Sequence, residues 1–174
     1  GDSRRSVLIA HCFLDGFAAC ESERPLSIGG VETVPADCFE GFDYVALGHL
    51  HGPQARGAQH LRYSGSILKY SFSEESQRKS VTLVDMDAHG ACTIEQVALR
   101  PRRDLRVLEG ALEALLEQGR RDPAAADYLL VRLQDRHAIL DPMGKLRTVY
   151  PNVLHLERPA LAQAGERRAP DRER

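Results

Sequence analysis

The sequence has no tryptophan and two methionines, and aromatic residues make up 6% of its 174 positions. No apolar stretch approaches the ~20 residues needed to cross a bilayer, which excludes a membrane-spanning helix. The opening residues Gly1-Asp2-Ser3-Arg4-Arg5 lack the apolar segment of a secretory leader. Both absences point to a soluble, intracellular protein with no membrane partner. Cysteine is sparse and scattered: Cys12, Cys20, Cys38 and Cys92 form no C-x-x-C pair. Reduced thiols are therefore expected, with neither a disulfide framework nor a zinc knuckle. Extreme charge is missing as well, since the formal net charge is −2. No internal repeat is visible.

What is present has a direction. Residues 1 to 99 carry 8 Lys and Arg against 13 Asp and Glu, while residues 100 to 174 carry 15 against 12. An acidic first part suits cations and a basic second part suits phosphate, but neither sign diagnoses nucleic-acid binding. With 43% hydrophobic content, the chain has material for one core, or a main core and a small satellite, but not two large domains. It starts at Gly1 and runs almost at once into a hydrophobic strand, which reads as a piece of a longer protein.

Apolar runs set the elements. Val7 to Ala10 reads as a buried strand ending in His11, and Tyr44 to Leu47 as a second, ending in Gly48-His49-Leu50-His51. Between them, Asp15-Gly16, Glu23-Arg24-Pro25 and Ser27-Ile28-Gly29-Gly30 are turn formers that read as a long loop. Pro35 to Phe39 suits a short helix, stopped at Gly41. A strand is expected around Gln59 to Tyr63, closing on Ser64-Gly65-Ser66, and two more over Ser80 to Asp87 and Cys92 to Leu99, joined by Ala88-His89-Gly90. The character changes near Arg100-Pro101-Arg102-Arg103. A strand at Leu105 to Leu108 precedes a helix from Ala111 to Arg120 with Leu112, Leu115 and Leu116 inward, ended by Asp122-Pro123. A strand over Tyr128 to Leu133, a helix from Asp141-Pro142 through Tyr150 and a strand over Val153 to Leu156 complete a small α+β unit. The charged tail beyond Pro159 is expected to be mobile.

Three histidines carry the chemistry. If the second strand continues, positions 49 and 51 share its period of two and present both imidazoles on one side. Gly48 allows close backbone approach there. This pair favours metal ligation over a hydrogen-bonded core role, whereas His11 alone leaves the choice open. His60, His89, His137 and His155 read as ordinary hydrogen-bonded or surface groups. Imidazole suits zinc, iron and manganese, but three histidines supply neither charge neutralisation nor a bridge between metals. Asp15, Asp43, Asp85 and Asp87 show no spacing that marks a partner and read as turn or solvated residues. On these residues the site looks like half of a whole. Arg100, Arg102, Arg103 and Arg106 form the densest basic cluster, read as a solvated linker or, alternatively, as a phosphate contact.

Several segments carry a resemblance: Ala10-His11, Ser22 through Gly30, Asp43 through Gln54, Tyr63-Ser64-Gly65-Ser66, Tyr70-Ser71-Phe72-Ser73-Glu74 and Lys79 through Val84. Over residues 6 to 100 the chain resembles the second half of the SbcD family within the calcineurin-like metallophosphoesterases. Gly-His-x-His is common in that superfamily, whereas Ser-Glu-Arg-Pro-Leu and Tyr-Ser-Phe-Ser-Glu are more specific to the family.

The resemblance implies an α/β fold: residues 1 to 100 as the C-terminal half of a metallophosphoesterase β-sandwich flanked by helices, and residues 101 to 158 as a capping domain that helps position DNA, followed by a tail. It implies a double-strand exonuclease and single-strand endonuclease in DNA repair, recombination and replication. The partners would be DNA and the SMC-like ATPase SbcC, within a heterotetramer containing a homodimer of the nuclease component, in the cytoplasm and on the nucleoid. Two manganese ions are implied, His11 and His49 on one and His51 on the other. Two such metals align a phosphodiester for in-line attack and stabilise charge on its attacking and leaving oxygens. The region of resemblance does not include the family's earlier motifs Asp-x-His, Gly-Asp with its bridging Asp, and Gly-Asn-His-Asp/Glu. These supply the remaining ligands and the assisting histidine, so no catalytic residue is assigned here and the chain alone is expected to be inactive. Cys12 stands where the family has Gln, and no helical segment for SbcC docking is evident. The alternatives are a small-molecule or nucleotide phosphodiesterase, which needs no DNA-positioning cap, and a noncatalytic DNA-binding or docking module, which would be indifferent to loss of His49.

Overall fold

The computed structural model describes residues 5–23, 33–55 and 57–159. The chain divides into two compact units between Pro101 and Arg102. Three sheets and few helices make a mixed α/β protein. No helix among the described residues is long and apolar enough to cross a membrane.

The first unit is built on β1 (Val7–His11), β2 (Tyr44–Gly48), β3 (Gln54–Ala55) and β4 (Leu61–Tyr63), in the order β1-β2-β4-β3. β1, β2 and β4 are parallel, and β3 runs antiparallel to β4. β2 is the central apolar strand, with Val45 and Leu47 buried among Leu14, Phe39, Leu50 and Tyr63. The Tyr63 hydroxyl fastens the chain after β1, donating to the Cys12 carbonyl at 2.8 Å and accepting from Leu14 N–H at 2.9 Å. A single 3₁₀ turn spans Ala36–Phe39 behind Pro35, and another spans Phe72–Glu74, capped by the Ser71 hydroxyl. The expected helices flanking this half are not found among the described residues of the unit, which hold only these two turns. The expected loop after β1 lies within the described residues only up to Glu23; its 24–32 stretch, with Pro25 and Gly29-Gly30, lies outside them, as does the expected mobile tail from 160 onward.

β5 (Ser80–Met86) and β6 (Cys92–Ala98) form an antiparallel hairpin. Its turn has a mechanism: Asp87 Oδ1 accepts from His89 N–H at 2.8 Å and Ala91 N–H at 2.9 Å, and Gly90 takes the left-handed conformation at φ +87°. Asp43 serves the frame too, accepting from the amide and hydroxyl of Ser6 at 2.7 and 2.8 Å.

The second unit alternates strand and helix: β7 (Leu105–Gly110), α1 (Leu112–Gly119), β8 (Tyr128–Leu133), α2 (Pro142–Arg147) and β9 (Val153–Glu157). All three strands are parallel, in the order β7-β8-β9. The expected α+β unit is therefore a β-α-β-α-β unit, because parallel neighbours need crossovers and each crossover here carries a helix. β8 sits between two strands and buries Leu129, Leu130, Val131 and Leu133, the near-continuous apolar run of a strand covered on both faces. Leu112 and Leu115 of α1, Leu146 of α2 and Tyr150 complete the core, with Leu116 half-buried against it. α2 ends at Arg147, earlier than expected, and the chain tightens into i→i+3 bonds from Thr148 N–H to the Lys145 carbonyl and from Val149 N–H to the Leu146 carbonyl.

Candidate metal centre

The parallel register of β1 and β2 sets His11 opposite Gly48, at the carboxyl ends of the strands, where open α/β sheets place ligands. β2 stops at Gly48, and His49 adopts φ +110°. This departs from the expected period-two arrangement of residues 49 and 51: both lie beyond the strand, and the chain turns at His49. A side-chain-bearing residue there is strained, and such strain collects at functional sites. The turn brings the His49 ring edge-on to His11, with centroids 5.3 Å apart, and within 6.3 Å of the Phe13 ring. Among the described residues neither imidazole has a hydrogen-bond partner, so their nitrogens are available to a ligand. Burial lowers the His49 pKa, and the nearby His11 and His51 lower it further against the opposing pull of Glu23. The neutral imidazole, which is the metal-binding form, is thereby favoured.

His51 is held differently. Its amide donates to Glu23 Oε1 at 2.5 Å, while its carbonyl accepts from Ser66 N–H at 3.0 Å and from Lys79 Nζ at 2.9 Å. Its Nδ1 lies 2.9 Å from Glu74 Oε1 and 2.9 Å from Ser22 Oγ. Tyr70 covers the ring at 5.4 Å. In Ser64-Gly65-Ser66, Gly65 at φ +79° leaves room for the 51–53 backbone, where a Cβ would fall 2.9 Å from the His51 carbonyl oxygen.

Glu74 is fully buried, and its carboxylate is saturated: Oε1 accepts from Ser22 Oγ at 2.5 Å, and Oε2 from Lys79 Nζ at 2.6 Å. Burial works against its charge, but the hydrogen bonds from Lys79, Ser22 and His51 outweigh it and pull the pKa down to about 2. Cys20, His51 and Glu74 are the one group among the described residues whose ligand atoms lie within 4.8 Å of one another in a metal-like cluster. The Lys79 ammonium against Glu74 opposes a cation there, so this cluster is a hydrogen-bond network behind His51. The sequence alone assigns no role to Glu74, Lys79 or Ser22. Nothing in their spacing marks a buried charge pair, although all three fall in segments that carry the family resemblance.

The basic cluster separates. Arg100, Arg102 and Arg103 are exposed. Arg106 turns inward, with Nη2 2.8 Å from Asp122 and Nε 2.8 Å from Asp127. His89 sits in the hairpin turn and His155 is exposed on β9.

The class that the fold defines is a mixed α/β protein, with His11 at a parallel strand end, His49 in the turn beyond the next strand and His51 backed by a buried carboxylate. The donor set fits a transition-metal ion, since among the described residues the nitrogens of His11 and His49 have no hydrogen-bond partner and His51 keeps Nε2. Residues 101–174 match the SbcD_C family model, described as the type 5 capsule protein repressor C-terminal domain. The chain is 39% identical over 155 residues to SbcD of the SbcCD nuclease from Staphylococcus epidermidis and 37% identical to that of Staphylococcus saprophyticus. Each match covers 89% of this chain and 41% of the relative. The chain is accordingly similar to SbcD proteins over part of their length, and spans about two fifths of the length of these relatives.

Proposed function

We propose that the chain is the C-terminal part of a manganese-dependent DNA nuclease, with His11 and His49 as ligands of one metal and His51 of the other. The observation that carries this reading is the pairing of His11 with His49 at the carboxyl ends of β1 and β2, in a chain 39% identical over 155 residues to a nuclease component. When bound, the two metals would supply activation of the attacking water and stabilisation of charge on the phosphodiester oxygens. The protein's own residues hold and orient: Gly48 admits the His11 ring, the strained turn aims His49, and Glu74 and Lys79 fix His51.

The activity is double-strand exonuclease and single-strand endonuclease in repair, recombination and replication, exerted with the SMC-like ATPase SbcC in a heterotetramer, in the cytoplasm and on the nucleoid. In this reading residues 1–100 complete a metallophosphoesterase sandwich with chain outside this sequence, and the unit from residue 102 corresponds to the family's capping domain. The exposed Arg100, Arg102 and Arg103 are its phosphate contacts. A manganese-dependent nuclease assay tests the proposal, using this chain alone and combined with a polypeptide that supplies the family's earlier motifs. The chain alone should be inactive and the combination active. Robust cleavage by the chain alone would overturn the half-site reading.

A further inference from the structure

We infer that Glu74, backed by Lys79, is the positioning residue that sets the tautomer of His51, so that Nδ1 carries the proton and Nε2 is the only nitrogen left to bind a metal. The inference rests on the reading of His51 as a ligand and deepens it. Both Glu74 oxygens are committed as acceptors, Oε1 to Ser22 Oγ at 2.5 Å and Oε2 to Lys79 Nζ at 2.6 Å. A carboxylate oxygen cannot donate, so His51 Nδ1, 2.9 Å from Oε1, must be the N–H. An imidazole in water prefers its proton on the other nitrogen, so the buried carboxylate reverses the ring's own preference. This is the arrangement by which an outer carboxylate fixes the tautomer and orientation of a metal-binding histidine.

The hold extends to the backbone. The Lys79 ammonium that pins Glu74 also donates to the His51 carbonyl at 2.9 Å, and it reaches Ser66 Oγ and Gln77 Oε1 at 2.7 Å each. The ring and main chain of His51 are thus tied to one buried ion pair, with side-chain exposures of 0% for Glu74 and 5% for Lys79. Such pairs contribute little net stability but define geometry, and removing one partner leaves a buried charge alone.

Glu74→Gln tests this without changing shape. The ammonium repels the new amide NH₂ and claims the amide oxygen, so the NH₂ faces His51 and Nδ1 must accept. Nitrogen-15 spectra of histidine-labelled full-length protein should show His51 as Nδ1–H in the wild type and as Nε2–H in Glu74→Gln. Manganese titration should show affinity falling about 10- to 100-fold. The double variant Glu74→Leu with Lys79→Met removes both charges, and should also return the ring to Nε2–H should the single variant fail to fold. Retention of Nδ1–H in a folded variant overturns the inference. A wild type that shows Nδ1–H at His51 but binds no manganese would overturn the metal reading and leave the tautomer assignment standing.

Discussion

The imidazole of His11 lies against the backbone of Gly48, where a Cβ would stand 3.0 Å from its Nδ1. The parallel pairing of β1 and β2 makes this contact, because it sets the last residue of one strand opposite the last of the other. The glycine thereby fixes how closely the first imidazole approaches the turn that carries the second.

Gly48→Ala should therefore separate stability from binding. The His11 ring is exposed and can give by a few tenths of an ångström, so denaturant unfolding should change by less than about 1 kcal/mol. Manganese affinity should fall about tenfold, since ligand sites tolerate only about 0.5 Å of displacement. Calorimetric titration with manganese reads the second effect, and unchanged affinity would remove Gly48 from the account.

His49 holds φ +110°, which glycine adopts freely and other residues at a cost. His49→Gly should be more stable than His49→Ala by about 1–2 kcal/mol, measured as a difference in urea midpoint at equal slope. Equal stabilities would mean that the turn carries no strain.

Tyr63 supplies a pH dependence. Burial is the main cause that raises its phenol to about 12, and the Leu14 amide opposes it only in part. A group with a raised folded pKa contributes stability that is complete below its unfolded value, about 10. That contribution fades as pH rises through the folded value. Unfolding free energy should thus decline between pH 10 and about 12, with one tyrosine ionising late in an absorbance titration. Tyr63→Phe leaves the Leu14 amide without its 2.9 Å partner and should cost about 1–3 kcal/mol.

The basic cluster should divide by role. Arg106→Ala breaks the ion pairs to Asp122 and Asp127 and should destabilise the second unit by about 2–3 kcal/mol. Arg102→Ala and Arg103→Ala should stay within about 0.5 kcal/mol. These two should instead weaken DNA binding, each reducing the slope of log affinity against log salt by about 1. Fluorescence anisotropy across a salt series, set beside chemical denaturation, distinguishes the two behaviours.

The more an element owes to its own side chains, the more legible it is in the sequence. Tyr128–Leu133 is readable to the residue because five of its six positions are apolar, and α1 is visible from the spacing of Leu112, Leu115 and Leu116. β3 escapes notice because two residues, Gln54 and Ala55, pair with Tyr63 and Arg62 and carry no pattern of their own. The turn over Phe72–Glu74 depends on a Ser71 cap inside a polar stretch. At the site, the histidines announce themselves by type and position, but the geometry joining them does not: it rests on a strand that stops at Gly48. Glu74 is invisible as a functional group because its burial comes from partners 52 and 23 positions away, Ser22 and His51.

The most direct test of the central claim is manganese binding by the full-length protein, compared with its His49→Ala variant under calorimetry and electron paramagnetic resonance. The wild type should bind two manganese ions, and the variant should lose one or bind it at least tenfold more weakly. Equal stoichiometry and affinity in the two proteins would contradict the claim that these histidines form a metal centre.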